Sequence, residues 1–175
     1  MLSTSYCFDD VLLVPQFSDI SSRSEISTSS SLSTEIKFGL PIVSSPMDTV
    51  TEHEMALAME ASGGFGIIHR YNTIENQVAI VREFKSQGGV FIGAAIGVSG
   101  DYIERSRALV RSGVGALCID VAHGHHSLTR YALQTLRRTL GHDVHIMAGN
   151  VATLGAFNDL ADWGANSIRV GIGGG

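Results

Sequence analysis

The sequence predicts an α/β fold: a (β/α)8 barrel, of which these 175 residues supply six strands and five helices behind an N-terminal arm. Three observations carry this expectation. Apolar runs bounded by glycine recur, their starts 23 to 28 residues apart. The runs are nearly continuous rather than alternating, as strands buried on both faces of a parallel sheet require. Each interval leaves room for one helix, and most hold apolar residues at helical spacing.

The arm, residues 1–39, is Ser/Thr-rich from Ser18 to Thr34 and holds one apolar cluster, FDDVLLVP (8–15). It reads as short antiparallel strands and loops that cap the end of a barrel or sheet. The regular placing of Ile26, Leu32 and Ile36 favours an ordered arm. From residue 40 to residue 175 there is no further domain boundary.

The strand runs are LPIVSSP (40–46), GFGIIH (64–69), VFIGAAIGV (90–98), ALCIDVA (116–122), VHIMAGNV (144–151) and SIRVGIG (167–173). Thr51 and Glu54 have capping-box spacing ahead of the first helix. Ile74, Val78 and Val81 share a helical face, as do Leu128, Ala132, Leu136 and Leu140. Leu154, Phe157 and Leu160 or Ala161 form another stripe. Gly63, Gly113, Gly141 and Gly164 close helices, because glycine accepts the left-handed conformation such ends adopt. An open doubly wound sheet competes with the barrel. The stop at Gly175, inside a glycine run, leaves a barrel two strands and three helices short, and so reads as part of a longer barrel chain.

A net charge of −5 and a pI of about 5.7 offer no basic face for nucleic acid or an acidic membrane. No apolar run reaches the roughly 18 residues of a membrane span. The N-terminus lacks the pattern of a signal peptide. Two cysteines, Cys7 and Cys118, make no disulfide framework and suit a reducing cytoplasm.

In a barrel, chemistry gathers where strands end. Those ends carry Ser44 to Thr49, His69 to Asn72, Gly97 to Gly100, Asp120 to His126, Gly149 to Thr153 and Arg169 to Gly175. A carboxylate such as Asp120 at the end of an apolar strand is costly to bury alone, so it reads either as a ligand contact, for example to ribose hydroxyls, or as a structural hydrogen-bond acceptor. Arg169 also needs a partner, either a ligand or Asp120. Asn150 offers a donor and an acceptor to an amide or base edge. The terminal glycine run reads as a phosphate or monovalent-cation loop, or as a plain turn. His123, His125 and His126 have spacing that can hold zinc, as in metal-dependent hydrolase barrels; a solvated, helix-starting loop is the favoured reading. Cys118, Trp163 and the methionines read as packing residues.

As an ordered set, FDDVLLVP (8–15), SSPMDTVTE (44–52), GGFGIIH (63–69), GAAIGV (93–98), IDVAHGH (119–125), AGNVAT (148–153) and RVGIGGG (169–175) resemble the inosine monophosphate dehydrogenase and guanosine monophosphate reductase family. The resemblance implies a TIM-type (β/α)8 barrel that exchanges hydride between a purine nucleotide and a nicotinamide cofactor, through a cysteine attached to the purine C2 position. That cysteine is expected shortly after Gly175, so these residues alone are expected to be inactive. It also implies a substrate pocket at Ser45, Met47, Asn150 and Arg169. Cofactor contacts are implied at Asp120, Val121, Ala122, Gly171 and Gly173, and potassium on the Gly173 and Gly175 carbonyls. Gly174 stands where the family usually has Pro or Ser, which implies a more flexible loop. Phe84 to Gly89 joins the second barrel helix directly to the third strand, leaving no regulatory CBS insert.

Dehydrogenase and reductase are closely balanced. SSPMDTVTE and AHGH resemble the dehydrogenase. Ser22 and Arg23 resemble a reductase cofactor approach, with Arg70 assisting at a 2'-phosphate of NADPH. The expectation is oxidation of IMP with NAD by a cytoplasmic homo-tetramer. Reduction of GMP with NADPH is the alternative, and a metal-dependent hydrolase or a non-catalytic half-barrel is the reading of another class.

Overall fold

The computed structural model describes residues 6–34 and 36–173. A short antiparallel hairpin, β1 (Ser30–Ser31) with β2 (Lys37–Phe38), precedes a six-stranded parallel sheet. The sheet strands are β3 (Val43–Ser44), β4 (Phe65–Ile68), β5 (Gly93–Ile96), β6 (Ala116–Asp120), β7 (His145–Val151) and β8 (Ser167–Val170). Between them run α1 (His53–Ala61), α2 (Ile74–Ser86), α3 (Tyr102–Arg111), α4 (Ser127–Leu140) and α5 (Leu154–Asp162).

The strand order β3-β4-β5-β6-β7-β8 repeats the chain order without reversal. A doubly wound sheet must reverse at a switch point. The unbroken order therefore decides for a curled partial (β/α) barrel with its helices outside.

The two-residue alternation of the strands divides the core. Ile68, Ala94, Ile96, Leu117, Ile119, Ile146 and Ala148 face the helices and join Val81, Phe84, Leu109, Leu133, Leu136 and Leu160. Phe65, Ile67, Ala95, Ala116, Cys118 and Met147 face the interior. The hairpin closes the lower end of this interior with Leu32 and Phe38, and Phe38 stacks on Phe65 at 6.5 Å.

The four glycines expected to end helices all have positive φ: Gly63 at 82°, Gly113 at 91°, Gly141 at 77° and Gly164 at 110°. Three local expectations fail. Thr51 does not cap α1, whose N-cap is Glu52. The Thr51 hydroxyl instead donates to Ser45 O and lies 3.0 Å from Ser44 Oγ, tying the start of α1 to the end of β3. Leu154 and Phe157 are exposed, so only Leu160 of the α5 stripe is buried. Finally, Leu128 of the α4 stripe is exposed, and on the arm Leu12, Leu13 and Phe17 extend into solvent. Cys7 and Asp10 bracket a single 3-10 turn there, with Asp10 accepting from the Cys7 backbone N–H.

Candidate active site

Parallel strands deliver their C-terminal ends to one rim, and that rim holds the candidate site. Asp120 ends β6, Asn150 lies near the end of β7, Arg169 sits in β8, and Arg70 and Tyr71 follow β4. With Val121 and Ala122 they line a cavity of about 360 Å³. A second cavity, about 230 Å³, opens toward the barrel interior between Ser44, Ser45, Pro46, Ile67, Met147 and Arg169. Arg169 lines both. Larger hollows, each about 600 Å³, lie between the arm and the end of β8 and beside the acidic start of α1. Neither gathers opposite charges around one polar centre as the rim cavity does.

Arg169 reaches Asp120 Oδ1 through Nη1 and lies 3.8 Å from Cys118 Sγ below. Burial works against the Arg169 charge, but Cys118 and Asp120 outweigh it and hold the guanidinium above its ordinary value. Burial pushes the Cys118 thiol up to about 12, against the pull of Arg169. A thiol titrating there is neutral at pH 7, so Asp120 alone supplies the counter-charge. Cys118 is a packing residue.

Asn150 is trapped between two loops. Its backbone N–H donates to Val121 O at 2.8 Å, and Gly124 N–H donates to Asn150 O at 2.7 Å. Its side-chain Nδ2 donates to Gly171 O at 2.8 Å. A Cβ on Gly124 would stand 2.8 Å from Asn150 O, so only glycine lets the β6–α4 loop approach this closely. Val121, Gly124, Asn150 and Gly171 therefore form one hydrogen-bonded block.

The Arg70 guanidinium stacks 5.4 Å from the centre of the Tyr71 ring. Its Nε is buried with no hydrogen-bond partner among the described residues. The Arg70 cation and the Asp120 carboxylate line one cavity, a pair that fits a ligand carrying both phosphate and hydroxyl groups, as a nicotinamide dinucleotide does.

Comparison with known proteins accords with this geometry. The IMP dehydrogenase / GMP reductase domain family matches residues 5–175. The chain belongs to that family. It is 34% identical to an inosine-5'-monophosphate dehydrogenase of Cryptosporidium parvum, over 95% of this chain and 51% of that protein. It is also 34% identical to a GMP reductase of Leptothrix cholodnii, over 95% of this chain and 50% of that protein. An inosine-5'-monophosphate dehydrogenase of Nitrosopumilus maritimus is 26% identical over 96% of this chain and 61% of its own length. The chain thus spans about half to three-fifths of the curated relatives it matches. The family's members bear the names of purine-nucleotide oxidoreductases.

Within this family member, the structure brings Asp120, Val121, Ala122, Asn150, Arg169 and Arg70 around one cavity. Ser45 lies across the second cavity from Arg169. Met47 is exposed on the β3–α1 loop of the same rim, and Gly171 and Gly173 follow β8 with φ of 117° and 66°. Ser22 and Arg23 stand elsewhere, in an exposed turn of the arm where the Ser22 hydroxyl accepts from Ser24 N–H. Gly174 and Gly175 lie outside the described residues.

The histidine cluster does not converge. His125 turns to Asp159 at 2.7 Å and stacks on Trp163, whereas the His126 ring nitrogen caps α4 by accepting from Leu128 N–H. Among the described residues no group of three His, Cys, Asp or Glu side chains is disposed to hold a metal ion.

Sequence reading missed two buried polar residues behind the rim, Gln77 and Arg105. Each had a signal: a polar residue on the apolar face of its helix, Gln77 beside Ile74, Val78 and Val81, and Arg105 between Tyr102 and Leu109.

Proposed function

We propose that this chain forms the purine-nucleotide and nicotinamide sites of an IMP dehydrogenase, which converts IMP, NAD and water into XMP, NADH and a proton. One observation supports the reading above others: Arg169 lines two cavities, one on the rim and one toward the barrel interior. The mononucleotide takes the interior side, with Ser45 and Arg169 around it and Met47 on the loop after β3, while Asn150 reaches it from the outer cavity. The cofactor takes the outer side. There Asp120 accepts hydrogen bonds from the nicotinamide ribose, Val121 and Ala122 shape the wall, and Gly171 and Gly173 meet the cofactor from the loop after β8.

The cofactor, when bound, supplies the hydride acceptor. This chain's own residues hold and orient. Asp120 fixes the Arg169 guanidinium, and the Asn150 block holds the rim rigid against both ligands. The attacking cysteine is neither of those seen here, since Cys118 is buried and protonated and the Cys7 thiol is bound to Asp10 on the arm. The same reading puts potassium on the Gly173 and Gly175 carbonyls and the protein in a cytoplasmic homo-tetramer. Among the described residues no helix is long and apolar enough to cross a membrane.

The second reading is a GMP reductase, converting GMP and NADPH, with protons, into IMP, ammonia and NADP. Arg70 on the cavity favours it, because a guanidinium there would bind the 2'-phosphate anion. Ser22 and Arg23 on the arm belong to the same reading. Turnover of the full protein decides. XMP formed from IMP and NAD supports the dehydrogenase and ends the reductase; IMP and ammonia formed from GMP and NADPH do the reverse. Turnover in neither direction overturns both.

A further inference from the structure

The loop that follows β4 reaches the rim from His69 to Asn72, and both its ends are held from behind by side chains that do not line the cavity. Gln77, on α2 and fully buried, donates its side-chain amide to His69 O and to Ala95 O, each at 2.9 Å. It thereby ties the end of β4 to the end of β5. Its Oε1 accepts from Arg105 Nη1 at 2.8 Å. Arg105, on α3 and only 6% exposed, donates through Nη2 to Asn72 O at 2.9 Å. Asp101 holds the same guanidinium from two sides, Oδ2 at 2.7 Å and Oδ1 at 3.3 Å. Arg70 and Tyr71, between the two tied carbonyls, line the cavity.

A buried arginine and a buried glutamine are expensive unless each polar atom finds a partner. Here the partners are the backbone carbonyls that bracket Arg70. We propose that Gln77 and Arg105 are positioning residues that set where Arg70 and Tyr71 meet the cofactor, so that helices α2 and α3 control cofactor affinity from outside the cavity. This rests on the reading that the Arg70 cavity takes the nicotinamide cofactor. The geometry of the clamp itself does not depend on that reading.

The conservative variant Arg105→Lys keeps the charge but cannot serve Asp101, Gln77 and Asn72 together. Gln77→Met keeps the shape and loses all three bonds. In the full protein, each is expected to speed amide hydrogen exchange across residues 69–73. Each is also expected to raise the Kd or KM for the nicotinamide cofactor roughly tenfold, as displacement of a positioned group does, with KM for the purine nucleotide little changed. The decisive arm is a double-mutant cycle with Arg70→Ala. If Arg105 acts through Arg70, the two effects on cofactor affinity are strongly non-additive. Unchanged exchange over 69–73 in a folded Arg105→Lys protein overturns the clamp. Additive effects overturn positioning through Arg70. If Arg70→Ala alone leaves both NAD and NADPH affinity unchanged while exchange responds to Arg105→Lys, the cofactor reading fails and the clamp stands as a purely structural tie.

Discussion

Arg169 Nη1 lies 2.5 Å from Asp120 Oδ1, and this pair, drawn from strands β8 and β6 on either side of β7, sets the floor of the rim. Both side chains are about a quarter exposed or less, so the pair is screened from bulk water without being sealed from a ligand. Its role is to keep a cation at the junction of two cavities. Replacing Asp120 by Asn is expected to destabilise the fold by about 2 kcal/mol, the scale of a charged hydrogen bond lost with its partner left in place. A chemical-denaturation curve with unchanged m-value checks it. Cofactor binding should weaken in the same variant.

The thiol beneath that pair is inert by the same physics. Cys118 is buried and its ionisation is pushed up to about 12, whereas Cys7 is only partly covered. The thiolate is the reactive form. Iodoacetamide at pH 7.5 is therefore expected to label Cys7 and leave Cys118 untouched until the protein is denatured, as peptide mass spectrometry will show. Labelling of Cys118 in the folded state would contradict its placement.

Gly124 carries a steric prediction. An added Cβ would meet Asn150 O at 2.8 Å and Gly149 C at 3.0 Å, both backbone atoms that cannot swing away. Gly124→Ala is expected to cost about 2 kcal/mol, in the range of an overpacked core, and to shift the Asn150 block. Thermal melting reports the first effect and calorimetric titration with NAD the second. Gly155→Ala, with nothing within 4 Å of its Cβ, is the control and should not destabilise.

His145, on β7 at the lower end of the barrel, predicts a pH dependence. Its Nε2 lies 2.8 Å from Ser167 Oγ. Burial first, then the nearby Arg137 charge, hold it below the ordinary value of 6.5. Below about pH 6.5 the unfolded chain takes up a proton that the folded chain refuses, so stability rises with pH across that window. The contribution is complete above about 6.5 and is lost as the pH falls toward the lowered folded value. Denaturant midpoints from pH 5 to 7.5 should show this slope, and His145→Gln should flatten it.

Local sequence pattern is enough to specify the parallel strands, the helices between them, and the rim on which Asp120, Asn150 and Arg169 meet. Those features follow from local rules: apolar continuity marks a doubly buried strand, and glycines such as Gly63 and Gly164 mark helix ends because they alone take positive φ without strain. Parallel strands with intervening helices then put every C-terminal end on one side, so the rim was legible before any contact was known. Tertiary structure alone decided which neighbours each side chain has. It turned Thr51 from a helix cap into a tie between α1 and β3, left Leu154 in solvent, sent His125 to Asp159 rather than to a metal, and placed Gln77 and Arg105 behind Arg70. A side chain's neighbours lie tens of residues away along the chain, as Arg105 lies from Asn72, and periodicity carries no information about contacts at that range.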